Sequence, residues 1–180
     1  KTEYDNMQVD IDMIKIHNIK FAGAFTLPAT AEETGNWSSS DLAFLNAFTV
    51  VKNANITVKG NDPVTNITTD TPMLNIPQEL TAWTVSGASK TKKGADNAKQ
   101  CYLEIACKIR QSGAYLLGSA DNYGTIYVPF GATWEPGKRY IYTLIFGGGY
   151  TDQGEAVLNP IQFDAETTGW VDADNKDVNV

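Results

Sequence analysis

Residues Gly131 to Tyr140 (GATWEPGKRY) set a glycine, a spacer and a Gly-Lys pair in the order used by phosphate-binding loops. Such a loop needs Gly, four residues, Gly-Lys and then a Ser or Thr hydroxyl for magnesium, and it delivers the phosphates to a helix N-terminus. Here five residues separate Gly131 from Gly137, Arg139 stands where the hydroxyl belongs, and a strand pattern follows. The segment therefore reads as a tight turn at Pro136-Gly137, with Trp134 packed beside it and Lys138-Arg139 opening a strand. A second glycine run, Gly147-Gly148-Gly149, follows the apolar stretch YIYTLIF without a helical pattern after it. It reads as a hairpin loop, where glycine adopts positive φ freely.

The other residues capable of chemistry are few. His17 is the only histidine, so it would need a partner to orient it before it could serve a nucleophile. It lies inside a strand pattern, where a packed structural role is expected. Cys101 and Cys107 are the only cysteines. They share one alternating run (QCYLEIACKIR), so both face the side of Leu103, Ile105 and Ile109. In a single strand they stand about 20 Å apart, beyond disulfide reach, and are expected as two buried thiols. The carboxylates are scattered over loops with no pairing signature. No enzyme, cofactor or metal centre is expected from these residues. Asp172 to Asp177 resembles the start of a calcium loop, but Lys176 and Asp177 occupy the positions of an oxygen ligand and a glycine. It reads as a solvated tail. Asn36-Trp37-Ser38, Asn55-Ile56-Thr57 and Asn66-Ile67-Thr68 are formal glycosylation sequons. Among the four tryptophans, Trp37 and Trp83 are candidates for exposed glycan-stacking rings.

The chain has 180 residues, 42% of them hydrophobic and 19% charged, which suits one globular domain over 1–180. A net charge of -7 argues against a nucleic-acid partner, which would need a basic face. The one basic cluster, Lys90 to Lys93, sits in a polar stretch and reads as a solvated loop. No window is apolar enough to span a membrane. The chain opens at Lys1 with neither an initiator Met nor a signal peptide, as expected of a mature form or of a cloned piece of a longer chain.

Period-2 alternation dominates. YLEIACKIR sets Tyr102, Glu104, Lys108 and Arg110 opposite its apolar residues, and RYIYTLIF is apolar on both faces, as for a strand covered on each side. NYGTIYVPF and AVLNPIQFD are further strands. VDIDMIKIHNIKFAG alternates but slips phase twice, which predicts a β-bulge. The only helical signal is one or two turns in SSSDLAFLNAF, capped at Ser40 or Asp41. TAEETGNWSSS and SGASKTKKGADNAK read as polar loops, and 173–180 as a polar tail. Eight or nine short strands with turns between them argue for an all-β antiparallel sandwich with at most one short helix.

Three stretches carry a family resemblance. MLNIPQELTA (Met73, Leu74, Ile76, Pro77, Gln78) resembles the Met-Leu-x-Ile-Pro-Gln segment of fimbrillin-like proteins of Bacteroides-type bacteria. YVPFGATWEPGKRYIYTLIF resembles that family's Trp-x-Pro-Gly-Lys-x-Tyr-x-Tyr signature through Trp134, Pro136, Gly137, Lys138, Tyr140 and Tyr142. IQFDAETTGW, with Ile161, Phe163 and Trp170, resembles its closing strands. The match covers roughly residues 70–172. The resemblance implies transthyretin-like β-sandwich domains, two per subunit, in a lipoprotein displayed on the outer membrane and built into type V pili. Subunits would join by strand exchange, with backbone bonds giving affinity and alternate side chains giving register. The chain holds about one domain's worth of sequence, so it corresponds to the C-terminal domain. It shows no lipid-bearing Cys near Lys1 and no Arg before Arg110. Implied partners are other fimbrial subunits, with a host or bacterial surface glycan or protein as adhesion ligand. Candidate donor or edge strands lie at Met7 to Phe21 and at Asn159 to Val180, the latter carrying Thr168, Trp170, Val171, Val178 and Val180. A carbohydrate-binding module using Trp37 or Trp83 is the alternative.

Overall fold

The computed structural model describes residues 2, 4–31, 33, 35–39, 44–45, 47–60, 62–68, 73–158 and 162–169. In chain order the first strands are β1 (Met7–His17), β2 (Ile19–Lys20), β3 (Ala24–Thr26), β4 (Asn36–Ser38) and β5 (Phe44–Leu45). Then come β6 (Phe48–Val51), β7 (Ile56–Lys59), β8 (Gln78–Leu80), a 3₁₀ turn at Gly87–Ser89 and the helix α1 (Lys92–Asn97). The second half runs through β9 (Tyr102–Gln111), β10 (Ala114–Leu117), β11 (Gly124–Pro129), β12 (Ala132–Trp134) and β13 (Lys138–Ile145). It ends with β14 (Gly148–Tyr150), β15 (Ala156–Leu158) and β16 (Gln162–Gly169).

The long alternating runs form the middle of the main sheet, whose order is β15-β14-β11-β9-β1-β6 with β7 also on β1 and β10 on β9. The β1–β9 ladder is antiparallel from Met7 opposite Gln111 to His17 opposite Tyr102. Its register shifts between Ile11 and Met13, and the ladder with β6 shifts again between Ile14 and Lys15. The first matches the sequence's slip between Met13 and Ile14 and returns Ile14 to the core face, whereas Ile14 and Ile16 stay in phase across the second. The slip between Ile16 and Ile19 falls at Asn18, which takes φ 59 between β1 and β2. Ile11, Ile14 and Ile16 are accordingly all buried. The expectation of an edge strand at Met7 to Phe21 is corrected for Met7–His17. β1 has β9 on one side and β6 and β7 on the other, because the backbone N–H and C=O groups of a strand that buries its apolar residues must find partners within the sheet.

The second layer consists of β8 paired with β12 and β13 paired with β16. Leu80, Trp134, Tyr140, Tyr142, Leu144 and Phe146 pack from this layer onto the isoleucines of β1 and β9 in one core cluster. The result is an antiparallel β-sandwich. Each fully buried isoleucine in it is worth about 1.5–3 kcal/mol relative to exposure. Cys101 and Cys107 lie in this core as free thiols. β13 is not covered on both faces, however: Ile141 is 42% exposed and Lys138 and Arg139 face solvent.

Three further expectations change. The helix lies at Lys92–Asn97, inside the stretch read as a loop. The Thr91 side chain caps it by accepting from the Gly94 N–H at 3.2 Å. Its stability comes from Ala95, wholly buried against Trp83 and Tyr102, and not from an apolar periodicity. In SSSDLAFLNAF, Phe44 and Leu45 are strand residues paired with Lys20 and Ile19, while Ser40 and Asp41 lie outside the described residues. Finally, Gly148 and Gly149 belong to β14 and not to a hairpin loop. A Cβ on Gly149 would stand 3.1 Å from Ile126 Cβ, so glycine there admits a close strand approach.

Candidate functional site

The polar face of β1 and β9 collects the chain's one histidine with two carboxylates. His17 Nε2 lies 2.9 Å from Glu104 Oε2, and Lys15 Nζ lies 3.3 Å from Glu104 Oε1. The imidazole stacks on Tyr102, with centroids 4.5 Å apart and planes at 15°. Tyr102 Oη donates to Asp96 Oδ1 at 2.6 Å, and Lys92 Nζ pairs with Asp96 Oδ2 at 2.9 Å. Asn18, held at φ 59 and buried, donates to Asp96 at 3.1 Å and to the Gln100 carbonyl at 2.8 Å.

The electrostatics of this cluster favour a brace over a catalyst. The hydrogen bond from His17 is the main cause that holds the Glu104 carboxyl below its ordinary range, with Lys15 adding to it. Burial pushes the Asp96 carboxyl up, but hydrogen bonds from Tyr102, Lys92 and Asn18 outweigh it and leave the group low. Burial, then the bond to Asp96, pushes the Tyr102 phenol far up, so it remains a donor. Burial also raises both thiols to about 12, so neither is a thiolate nucleophile at neutral pH. Every named group is already engaged, and the network ties β1, β9 and α1 together. Among the described residues, no group of three or more His, Cys, Asp or Glu side chains gathers where it could hold a metal ion.

The apparent phosphate loop is the β12–β13 corner. Gly137 sits at φ 67, Trp134 is 9% exposed, and its Nε1 donates to Tyr142 Oη at 3.0 Å. The Tyr140 hydroxyl accepts from the Glu135 N–H at 3.0 Å, and Lys138 pairs with Glu135. The corner's lysine and tyrosines thus stabilise their own turn. Lys90 and Lys92 of the basic cluster are likewise paired, with Glu155 and Asp96.

Two of the quoted sequence stretches meet in space: β8 and β12 pair through Leu80 with Ala132 and Gln78 with Trp134. Gln78 also reaches β2, where its Nε2 donates to the Lys20 carbonyl and its Oε1 accepts from the Lys20 N–H, each at 2.8 Å. Sequence reasoning missed this clamp. Its only signal was the glutamine that ends the Ile-Pro-Gln segment.

The remaining residues that the sequence singles out lie elsewhere. Thr168 is on β16 opposite Arg139, in the two-stranded β13–β16 sheet. Trp170, Val171, Val178 and Val180 lie outside the described residues, as does Asp172 to Asp177. Trp83 is 3% exposed, packed against Tyr102 and Tyr150 with its Nε1 bonded to the Ser89 carbonyl. The expectation that it presents a free stacking face is corrected by this burial. Trp37 is 39% exposed. It lines an open groove of about 460 Å³ with Ile19, Phe21, Phe48, Leu74 and Ile76, and with Lys20 and Asn75 as the polar members. Structure does not bring Trp37 and Trp83 together.

A family model described as fimbrillin-like matches residues 1–170. No curated protein and no solved structure matches the chain.

Proposed function

The chain belongs to the fimbrillin-like family, whose members are structural fimbrial subunits, and we propose that it is a non-enzymatic cell-surface subunit joined to its neighbours by β-strand addition. The family match across nearly the whole chain carries this reading. The fold supports it. β13 and β16 form a ladder of eight residue pairs that is separate from the eight-stranded sheet. Within the described residues, β16 has no second strand neighbour, and a strand edge is a template for another chain. Attachment to the outer membrane through a lipid and adhesion to a surface ligand complete the proposal. No described helix is long and apolar enough to cross a membrane.

Deleting residues 168–180 from the full-length protein tests strand addition. Pili seen by electron microscopy should become fewer or shorter while the subunit still melts cooperatively. Normal pili in the deletion strain would overturn the proposed mode of joining. A carbohydrate-binding role would now rest on Trp37, in a groove whose lining is mostly apolar. Sugar sites need more directed polar groups than Lys20 and Asn75 supply, so the assembly reading is the better supported.

A further inference from the structure

The hairpin formed by β3 and β4 is an outlier in this fold. Every described residue from Phe21 to Glu33 is exposed, as are Asn36, Trp37 and Ser38, although the segment carries Phe21, Phe25, Leu27 and Trp37. Phe25 and Trp37 pack on each other at 5.1 Å, and they are still 46% and 39% exposed. The hairpin is a separate two-stranded sheet, and among the described residues neither strand has a second neighbour. Its Trp37 also lines the groove, together with Phe21 (57% exposed), Phe48 (38%) and Leu74 (81%). Hairpin and groove are therefore one continuous apolar face.

Area and charge point to an occupant. Taking about 200 Å² for each fully exposed large side chain, Phe21, Phe25, Trp37, Phe48 and Leu74 leave on the order of 500 Å² of apolar surface open. Two such faces in contact would bury about 1,000 Å², the lower limit for a specific protein interface. Among the described lining residues of the groove, the charged one is basic: Lys20, whose Nζ stands 5.5 Å from the Phe44 ring. The hairpin is acidic at Glu33. In a chain of net charge -7, that local pairing of signs offsets part of the repulsion between two copies.

We propose that this face is a contact between two copies of the chain, the hairpin of each lying in the groove of the other about a twofold axis. The proposal rests on the fimbrial reading for the partner's class, and it assigns a lateral contact distinct from strand addition. Sedimentation velocity of the full chain, from about 1 µM to about 500 µM, should show a monomer–dimer equilibrium in the micromolar range. Trp37→Glu and Phe48→Glu should each weaken it at least tenfold, and so should Leu74→Glu, whose exposed position spares the fold. Leu116→Glu, on β10 and outside the groove, should leave it unchanged. A monomer throughout that range would overturn the proposal, as would a dimer insensitive to all three groove variants or broken by Leu116→Glu. Saturable glycan binding by a monomeric wild type, lost in Trp37→Ala, would also overturn it and install a sugar in the groove. Electron microscopy of cells separates the two ideas. Pili that incorporate a chain found monomeric in solution would leave the fimbrial reading standing and this contact refuted. A dimer with the expected variant pattern, in a chain never found in pili, would refute the fimbrial reading alone.

Discussion

The side-chain amide of Gln78 gives one hydrogen bond to the backbone of Lys20 and takes another from it, both at 2.8 Å, and so substitutes for a paired strand. An amide is the one side-chain group that offers donor and acceptor in the geometry of a peptide. Gln78→Leu removes both bonds and should cost about 1–3 kcal/mol. Gln78→Glu keeps only the acceptor and should fall between leucine and wild type; urea denaturation midpoints of the three proteins check the order. Equal midpoints would show that the clamp contributes nothing. The sequence marks this glutamine by family resemblance, but no spacing rule links it to a backbone 58 residues away. His17 shows the opposite balance. A packed role was legible from its place in a strand, whereas the Glu104 and Tyr102 partners required the β1–β9 register.

At the scale of elements, strands long enough to alternate were legible and short ones were not. β1 and β9 repeat their pattern over ten or more residues, so their burial follows from the sequence alone. α1 has six residues and a single buried one, and its signal was only the cap at Thr91. β14 is written in glycines that resemble a turn, yet its backbone pairs with both β11 and β15. Gly149→Val tests that assignment. The added atoms meet Ile126, which is fully buried, so the variant should lose about 1–3 kcal/mol by overpacking. A valine in a solvent-exposed loop would lose nothing. Thermal or urea melts of the purified variant distinguish these outcomes. Substitution at Gly137 strains its positive φ and costs about 1 kcal/mol without any clash, since a Cβ there meets open space.

For the whole molecule, the buried polar groups set a pH window. Glu104, Asp96 and Asp10 are all held low in the fold; at Asp10, bonds from Thr57, Gln8 and Arg110 overcome the upward push of burial. Groups lowered on folding stabilise above their unfolded values and lose that contribution as pH falls through the folded ones. Cys101 and Cys107 act at the other end. Raised by burial to about 12, they stabilise fully below the unfolded value of 9.0 and progressively less above it. Unfolding free energy from urea titrations should therefore be level between about pH 5.5 and 8 and decline on both sides. Glu104→Gln should flatten the acid limb, and an unchanged limb would contradict the His17–Glu104 assignment. The sequence by itself determined the all-β class, the long alternating strands and the first bulge of β1, the buried thiols, the turn at Pro136-Gly137 and the family, because each is written in neighbouring residues. Tertiary structure alone decided that β1 is central, that Trp83 is enclosed while Trp37 stands on an open apolar face, and that Gln78 clamps Lys20. Those facts depend on which distant segments meet, and local periodicity carries no information about that.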